Sequence, residues 1–303
     1  MRPYLLKAWF TLVDRLARWL VYNRDAPPVA DYICDVPYDV IDPRQCCDIA
    51  VPEGQPPFPV LIVIHGGGLL SGDKKSYTRI CKCFAKAGFL AFNVNYRLGP
   101  KYTYPVQFQD AAAAVYWIFA HAGEYGGDCT RLFLAGDSAG AHLACWYVAA
   151  LFNHDLLKAT EVKDTIPHDF LKGILLFYGI YDMETCLRCG YPGMRTTAEV
   201  FLGKDPARYA ELSQVASPIR HIRPSFPPTF ICSATRDKLH AQSADLAAAL
   251  ERAGAPCRTI FFTPEQHPEA DHAFLNFHQK SCSQIAMAEA LNFLRSLTEA
   301  ANP

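Results

Sequence analysis

Short apolar runs alternate along the chain with segments of helical periodicity. Six of these runs are largely apolar without strict alternation, which is typical of strands that are buried on both faces of a sheet. They lie at residues 59–64, 89–96, 131–136, 173–179, 228–234 and 258–263. Helical runs are found at about 76–87, 111–122, 139–152, 241–253 and 281–297. This alternation predicts one α/β domain with a parallel sheet and helices on both of its faces.

Two segments depart from the alternation. Near the N-terminus, apolar residues from Tyr4 to Leu20 form one face of a helix, and "RDAPP" at 24–28 ends it because proline disfavours helix. We expect this helix to pack against its own protein, with a membrane surface as the alternative. The stretch of about 181–225 contains scattered prolines and no clear strand, and we interpret it as an insertion over the edge of the sheet.

Composition narrows the classes of protein. Of 303 residues, 50% are apolar and 19% are charged, which predicts a large core. The net charge of −1 indicates neither a nucleic-acid partner nor an anionic membrane surface. The uncharged stretches are too short for a secretory leader or a membrane span, so we expect no stable membrane insertion.

Twelve cysteines are the other notable feature of the composition. Disulfide frameworks occur mostly in short secreted chains, so free thiols in a reducing cytoplasm are the better interpretation. Cys186 and Cys189 could begin a zinc site, but no second pair lies at the spacing of a zinc finger. We expect no metal, and the role of this pair stays open.

Residues with reactive side chains follow the predicted strands, at the edge where open parallel sheets bind ligands. His65 and three glycines follow 59–64, and Ser138 follows 131–136. Asp237 comes after 228–234, and both His267 and His272 come after 258–263. This placement gathers a serine, a carboxylate and a histidine at one edge.

Ser138 lies in "GDSAG" at a strand-to-helix junction, which fits the G-x-S-x-G turn of serine hydrolases. A serine hydroxyl becomes a good nucleophile when a base takes its proton and a carboxylate orients that base. Alone, this motif could be a tight turn, and "HGGG" could be a flexible turn or a phosphate cradle. The chain has no nucleotide-binding glycine motif, and glycines also let backbone N–H groups approach a substrate oxyanion.

Five motifs together resemble the hormone-sensitive-lipase-like family of α/β-hydrolase carboxylesterases. They are "HGGGLLSGD", "NYRLGPKYTYPVQFQDA", "AGDSAGAHLA", "SATRDKL" and "DHAFLNF", and the resemblance covers about residues 45–297. It implies the α/β-hydrolase fold, with a mostly parallel eight-stranded sheet flanked by helices and a helical cap. The cap would consist of an N-terminal helix in 1–28 and the insertion at about 181–225, within a catalytic domain of 29–303.

The resemblance also assigns roles to residues. It implies that Ser138 is the nucleophile, His272 the general base and acid, and Asp237 the carboxylate that orients it. The implied oxyanion hole consists of backbone N–H groups of Gly66, Gly67, Gly68 and Ala139. His65 has two possible roles, support of the glycine loop or a purely structural hydrogen bond. We interpret Tyr96 and Arg97 as structural residues. We expect Asp110 to cap the helix that follows it.

Two histidines compete for the catalytic role, and two kinds of function compete with ester hydrolysis. His267 precedes Pro268, which suits a solvent-facing turn, whereas "AFLNF" can anchor His272, so we favour His272. The preferred function is a cofactor-free cytoplasmic serine carboxylesterase that acts on small esters with short to medium acyl chains. The alternatives are an amidase or deacetylase with the same site, and a noncatalytic ligand-binding module similar to the plant gibberellin receptors. A homodimer is compatible with the sequence, which does not fix the oligomeric state.

Overall fold

The computed structural model describes residues 2–299, which form a single sheet of eight strands with helices on both faces. The strands are Asp31–Pro37 (β1), Cys46–Val51 (β2), Phe58–Ile64 (β3), Leu90–Val94 (β4), Gly127–Asp137 (β5), Leu171–Phe177 (β6), Thr229–Ala234 (β7) and Cys257–Phe262 (β8). Their order across the sheet is β1-β2-β4-β3-β5-β6-β7-β8. β2 runs antiparallel to both of its neighbours, and every other pairing is parallel. All six strands that the apolar runs predict are confirmed.

Nine α-helices lie within the described residues, and all five helical runs that the sequence predicts are confirmed. The helices are Pro3–Ala17 (α1), Thr78–Lys86 (α2), Val106–His121 (α3), Ala139–Leu151 (α4), His154–Ala159 (α5), Met194–Leu202 (α6), Pro206–Ala216 (α7), His240–Ala253 (α8) and Ser281–Glu299 (α9). A π-helical turn, Arg18–Tyr22, extends α1. None of these helices is both long enough and apolar enough to cross a membrane.

The core is divided by the sheet into two apolar clusters. On one face, Ile62 of β3 packs in a cluster with Phe108 of α3 and Trp146 of α4. On the other face, Leu61 of β3 belongs to a cluster that includes Phe84 of α2. Because side chains alternate between the two faces along a strand, each central strand contributes to both clusters, which explains why these strands are largely apolar.

Strand register places four loops at the same edge of the sheet. Ile64 of β3 pairs with Gly136 of β5, and Asp137 pairs with Phe177 of β6. At the far side, Ala234 of β7 pairs with Phe262 of β8. The segments that leave β3, β5, β7 and β8 thus emerge side by side, and these carry the candidate residues.

The N-terminal helix differs from the expectation that it packs against its own protein through its apolar face. Only Leu6 of α1 is buried, whereas Leu12 is 61% exposed and Trp19, in the π-helical turn, is 78% exposed. Beside Leu6, polar side chains attach the helix to the domain. Lys7 Nζ donates to the Gly99 carbonyl at 2.8 Å, and Asp14 accepts from Ser76 Oγ at 2.8 Å. These bonds satisfy charged groups at the domain surface and leave most of the apolar side chains in solvent.

Candidate active site

The four loops at the sheet edge surround a cavity of about 860 Å³. Residues from three loops that the sequence singled out line it: Gly66, Ser138 and Asp237. The fourth loop contributes His272, while His267 is not among the lining residues. The structure therefore brings the predicted serine, carboxylate, histidine and glycines together.

Ser138 stands at the tight turn between β5 and α4. Its backbone has φ 49° and ψ −116°, a conformation that non-glycine residues rarely adopt. The turn is possible because its neighbours are small: a Cβ on Gly140 would overlap the carbonyl oxygen of Ile64, and one on Gly136 would overlap Gly140. The Ser138 N–H donates to the Phe177 carbonyl at 2.9 Å, which holds the turn against β6. The hydroxyl consequently points away from its own backbone and into the cavity.

A chain of two short hydrogen bonds joins the serine to a buried carboxylate. Ser138 Oγ lies 3.0 Å from His272 Nε2, and His272 Nδ1 lies 2.7 Å from Asp237 Oδ2. The Asp237 side chain is almost fully buried, and its other oxygen accepts the N–H of Leu239. A carboxylate at Nδ1 holds the proton on that nitrogen, so Nε2 is left as an acceptor for the serine proton.

Aromatic rings fix the imidazole of His272 from two sides. Tyr178 and Tyr191 contact it edge to face, with ring centroids 5.1 and 4.8 Å from that of the histidine. His267 has different surroundings, because its Nδ1 lies 3.0 Å from Ser281 Oγ and its ring packs on Phe262. Only His272 is within hydrogen-bond reach of Ser138.

The glycine loop presents its N–H groups unequally. The Gly66 N–H donates to Asp137 Oδ1 at 2.7 Å and to the Tyr77 hydroxyl at 3.1 Å, so this donor is already occupied. The N–H groups of Gly67, Gly68 and Ala139 have no acceptor among the described residues. Of the four donors implied for the oxyanion hole, Gly66 therefore anchors the loop, and the other three remain available to a ligand.

Asp137 is a functional residue that the sequence reasoning missed. Its buried carboxylate accepts from the Gly66 N–H and from the Tyr77 hydroxyl at 2.7 Å, which ties the glycine loop to the nucleophile turn. Burial raises the pKa of Asp137 to about 6, although its hydrogen bonds and the nearby His272 oppose that rise. The available signal was an acidic residue directly between the end of a predicted buried strand and Ser138.

A second layer supports the loop from below. The rings of His65 and Tyr96 stack with centroids 4.4 Å apart, and the Tyr96 hydroxyl donates to the His65 carbonyl at 2.9 Å. Burial lowers the pKa of His65 to about 4, so its ring is neutral at physiological pH. His65 thus contributes packing beneath the glycines rather than a charge in the cavity.

The expectation for Asp110 as a helix cap is wrong. α3 begins at Val106, so Asp110 lies inside the helix, where its buried carboxylate pairs with Arg97 at 2.6 Å and also accepts the Arg97 N–H. The helix starts earlier because Pro105 is compatible with the position before a first turn. Asp110 and Arg97 together hold the loop that follows β4, which agrees with a structural role for Arg97.

The remaining lining of the cavity comes from α1 and from the segment between β6 and β7. We call Trp9, Phe10, Val13, Tyr191 and Met194 the helix-borne lining, and the residues at the strand ends the sheet-borne lining. The helix-borne lining is mostly apolar. The arrangement offers an apolar surface opposite a serine, a histidine and unoccupied N–H donors.

The paired cysteines lie close to this lining but form no metal-binding geometry. The Cys186 thiol donates to the Met183 carbonyl, and Cys189 Sγ accepts the N–H of Tyr191, each at 3.3 Å. Within residues 2–299, no three His, Cys, Asp or Glu side chains come together as a metal site would require. The two thiols instead support the loop that carries Tyr191.

Comparison with known proteins identifies the family to which this chain is related. The BD-FAE family model matches residues 47–250. Esterase LipQ of Mycobacterium tuberculosis is 31% identical over 224 residues, which are 71% of this chain and 50% of LipQ. The probable carboxylic ester hydrolase LipM of the same organism is 33% identical over 186 residues, 60% of this chain and 42% of LipM. The chain thus spans about half the length of these curated relatives.

A solved structure shows the same fold. The inhibited esterase B from Lactobacillus rhamnosis superimposes with a TM-score of 0.84 over 96% of this chain and 94% of its own, at 21% identity. Agreement over that share of both chains identifies the architecture as the α/β-hydrolase fold.

Proposed function

The chain belongs to the BD-FAE family of hormone-sensitive-lipase-like α/β-hydrolases, and from that membership we propose that it is a serine carboxylesterase. In this proposal Ser138, His272 and Asp237 form the catalytic triad. The observation that carries it is the pair of bonds at 3.0 and 2.7 Å that links the serine, the histidine and the carboxylate. A serine with a strained backbone that contacts an oriented imidazole is required for nucleophilic catalysis, and few structural roles require it.

Acylation follows from the positions of these groups. Ser138 Oγ attacks the ester carbonyl carbon while its proton passes to His272 Nε2, so a tetrahedral oxyanion forms. That oxyanion is held by the N–H groups of Gly67, Gly68 and Ala139, which have no other acceptor among the described residues. When the intermediate collapses, His272 gives its proton to the leaving alcohol and an acyl-enzyme remains.

Deacylation uses the same groups in reverse. His272 takes a proton from a water molecule, whose oxygen attacks the acyl carbon. When the second tetrahedral intermediate collapses, the bond from Ser138 Oγ to carbon breaks, His272 gives its proton to that oxygen, and the acid is released. Throughout, Asp237 stabilises the imidazolium, because its carboxylate is buried and accepts from Nδ1. Asp137 takes no proton in this sequence and acts as a positioning residue for the glycine loop.

The helix-borne lining determines which esters fit. We infer that α1 within residues 1–28, and α6 with its preceding loop within 181–225, act as a cap over the serine. Their side chains Trp9, Phe10 and Tyr191 border the cavity, whose size suits short to medium acyl chains. Such a cap excludes water and selects the substrate while leaving the chemistry to the sheet edge.

The cellular environment also forms part of the proposal. All twelve cysteines are unpaired, and most are buried or partly buried, where burial raises the pKa of thiols such as that of Cys129 to about 11. Protonated, unpaired thiols suit a reducing compartment, so we propose a cytoplasmic location.

The decisive experiment replaces the nucleophile. We expect Ser138→Ala to lower kcat on nitrophenyl butyrate by ~10³-fold or more while leaving the melting temperature nearly unchanged. An organophosphonate should add one adduct to the wild-type protein, and peptide mass spectrometry should place it on Ser138. The matched control is Ser243→Ala, which removes a buried hydroxyl of α8 outside the cavity and should retain both turnover and labelling.

A series of nitrophenyl esters from acetate to palmitate, with the acetanilide analogue alongside, then defines the reaction. Ester cleavage with a burst supports the acyl-enzyme, and preference for the anilide would reassign the site to amide hydrolysis. Binding without any burst would overturn the enzymatic proposal altogether.

A further inference from the structure

Helix α1 and its π-helical extension present their apolar side to solvent, which is unusual for an amphipathic helix on the surface of a globular domain. Leu5, Leu12, Leu16 and Trp19 are all more than half exposed. We call these four residues, together with Trp9, the outer face of the helix. The outer face follows the spacing of a helical stripe, so its exposed side chains form one continuous surface rather than scattered contacts.

The orientation is fixed by bonds on the opposite side of the helix. Lys7 and Asp14 are tied to Gly99 and Ser76, and Leu6 packs beside Gly193. At the C-terminal end, Asn23 Nδ2 donates to the Lys75 carbonyl at 2.6 Å. The helix cannot turn its outer face inward without breaking these bonds and exposing Leu6.

Charge indicates what covers the outer face. Residues 2–24 contain five cationic side chains (Arg2, Lys7, Arg15, Arg18 and Arg24) and a single carboxylate, which gives +4. Since the whole chain carries −1, the rest of it carries −5. The lone carboxylate, Asp14, is bonded to the domain through Ser76, whereas Arg15 is exposed to solvent. A cationic helix with exposed tryptophan and leucine on an otherwise anionic protein matches an anionic lipid surface, and it mismatches a second copy carrying the same charge.

The outer face is also continuous with the mouth of the cavity. Trp9 and Val13 line the cavity, yet Trp9 is 60% exposed and Val13 is 44% exposed. A surface that covers the outer face would therefore lie against the rim through which an ester enters. Esters that partition into lipid would reach the serine directly from that surface.

We propose that α1 docks reversibly on an anionic membrane surface, with its outer face in the interfacial layer and the cavity mouth toward the lipid. The docking itself depends only on the helix. Delivery of lipid-dissolved esters from the membrane rests additionally on the esterase function proposed above.

The test measures binding and catalysis separately. Full-length Ser138→Ala protein is co-sedimented with phosphatidylcholine vesicles that either contain or lack phosphatidylglycerol. We expect binding to the anionic vesicles, weaker binding to the neutral ones, and release at high salt because charge attraction is screened. The variant Leu12→Glu/Leu16→Glu should bind the anionic vesicles at least about tenfold more weakly than the parent, because two apolar anchors are replaced by carboxylates.

The matched control is Val40→Glu/Ile41→Glu, which alters an even more exposed apolar pair outside the helix and should bind as tightly as the parent. In the background that retains Ser138, Leu12→Glu/Leu16→Glu should hydrolyse a water-soluble ester normally, since neither residue lines the cavity.

Equal vesicle binding by both double variants, or no binding by the parent, would overturn the docking proposal. A dimer in light scattering that dissociates in Leu12→Glu/Leu16→Glu, without vesicle binding, would assign the outer face to a second copy and overturn it as well. Loss of ester turnover in every protein with vesicle binding intact would refute the esterase proposal alone.

Discussion

Two helices next to the cavity are held by the protein in opposite ways. α4, which carries the Ser138 turn at its start, buries twelve of its thirteen residues in the core beneath the sheet edge. α1, which contributes Trp9 and Phe10, buries one residue of fifteen and is held by a few polar bonds. Both sequences are rich in apolar residues, yet one helix is surrounded by protein and the other faces solvent.

This difference separates the chemistry of the site from its selectivity. A residue whose neighbours are close-packed cannot shift without disturbing the core, so the sheet-borne lining holds catalytic geometry well. An element with few buried contacts opens at low free-energy cost, which suits a part that admits and releases substrate. We therefore expect changes in the sheet-borne lining to reduce kcat, and changes in the helix-borne lining to alter substrate preference.

The largest expected effect concerns the two histidines of the loop after β8. His272→Ala should lower kcat by ~10³-fold or more, because Ser138 loses its base. His267→Ala should remain within a few-fold of the wild type, since its ring contacts Ser281 and Phe262 and not the serine. Steady-state kinetics on nitrophenyl butyrate, with circular dichroism to check the fold, measures both. Collapse of turnover in a folded His267→Ala variant would reverse the assignment.

Next in size is the glycine loop. Gly67 has φ +115°, and a Cβ there would overlap the Ser71 carbonyl, so Gly67→Ala must displace the loop. We expect kcat to fall by about 10²–10³-fold, as when an oxyanion donor is lost. Gly88→Ala is the matched control, because Gly88 has φ +97° but no atoms near the place of a Cβ. This substitution should lower the unfolding free energy by about 1 kcal/mol and leave kcat unchanged. Equal losses of kcat in the two variants would show that backbone strain alone explains the result.

A smaller effect involves stability rather than turnover and concerns Asp137. The folded-state pKa of Asp137 is raised from 3.8 to about 6, so the folded protein retains this proton over a pH range in which the unfolded chain has lost it. Its contribution to stability is fully present below pH 3.8 and is lost as the pH rises through about 6. Between pH 3.8 and about 6, the unfolding free energy of the wild type should fall by roughly 3 kcal/mol relative to that of Asp137→Asn, whose amide does not titrate.

Urea unfolding of both proteins between pH 4 and 7 measures this difference, in which the other titrating groups cancel. Asparagine retains an oxygen that can accept the Gly66 N–H, so the variant should fold. A difference in unfolding free energy that does not change with pH would contradict a raised pKa for Asp137.

The smallest expected effect belongs to the helix-borne lining. Trp9→Ala should leave kcat for nitrophenyl acetate nearly unchanged and lower kcat/KM for longer acyl chains by roughly tenfold, because apolar contact with the substrate is lost. Leu5→Ala provides the control, since Leu5 is as exposed as Trp9 but does not line the cavity. If the two variants respond alike across the ester series, α1 does not select the substrate.

Much of the fold could be predicted because the central strands consist largely of apolar residues. The hydrophobic pattern did not predict β1 and β2, and only the eight-stranded sheet implied by the family resemblance accounted for them. β1 lies at the edge of the sheet with several exposed residues, and β2 carries Asp48 in its middle, so neither shows a continuous apolar run. The Asp48 carboxylate is nevertheless buried, because it pairs with the buried Lys74.

Side-chain partners were harder to predict than elements. Asp110 resembled a helix cap, but Arg97 provides a buried partner that a local pattern cannot reveal. The occupied N–H of Gly66 has the same origin, because its acceptor Asp137 lies 71 residues further along the chain. Pairings over such distances depend on strand order and register, which local patterns do not contain.

The sequence by itself determined the alternation of strands and helices, the strained serine turn and the order of serine, aspartate and histidine. These features are local, since periodicity, small residues around Ser138 and placement after a strand are visible within a few residues. Only the tertiary structure decided that His272 rather than His267 reaches the serine, that Gly66 is already bonded, and that α1 faces outward. Each of these depends on which surfaces meet in space, and a helix's apolar stripe does not specify what will cover it.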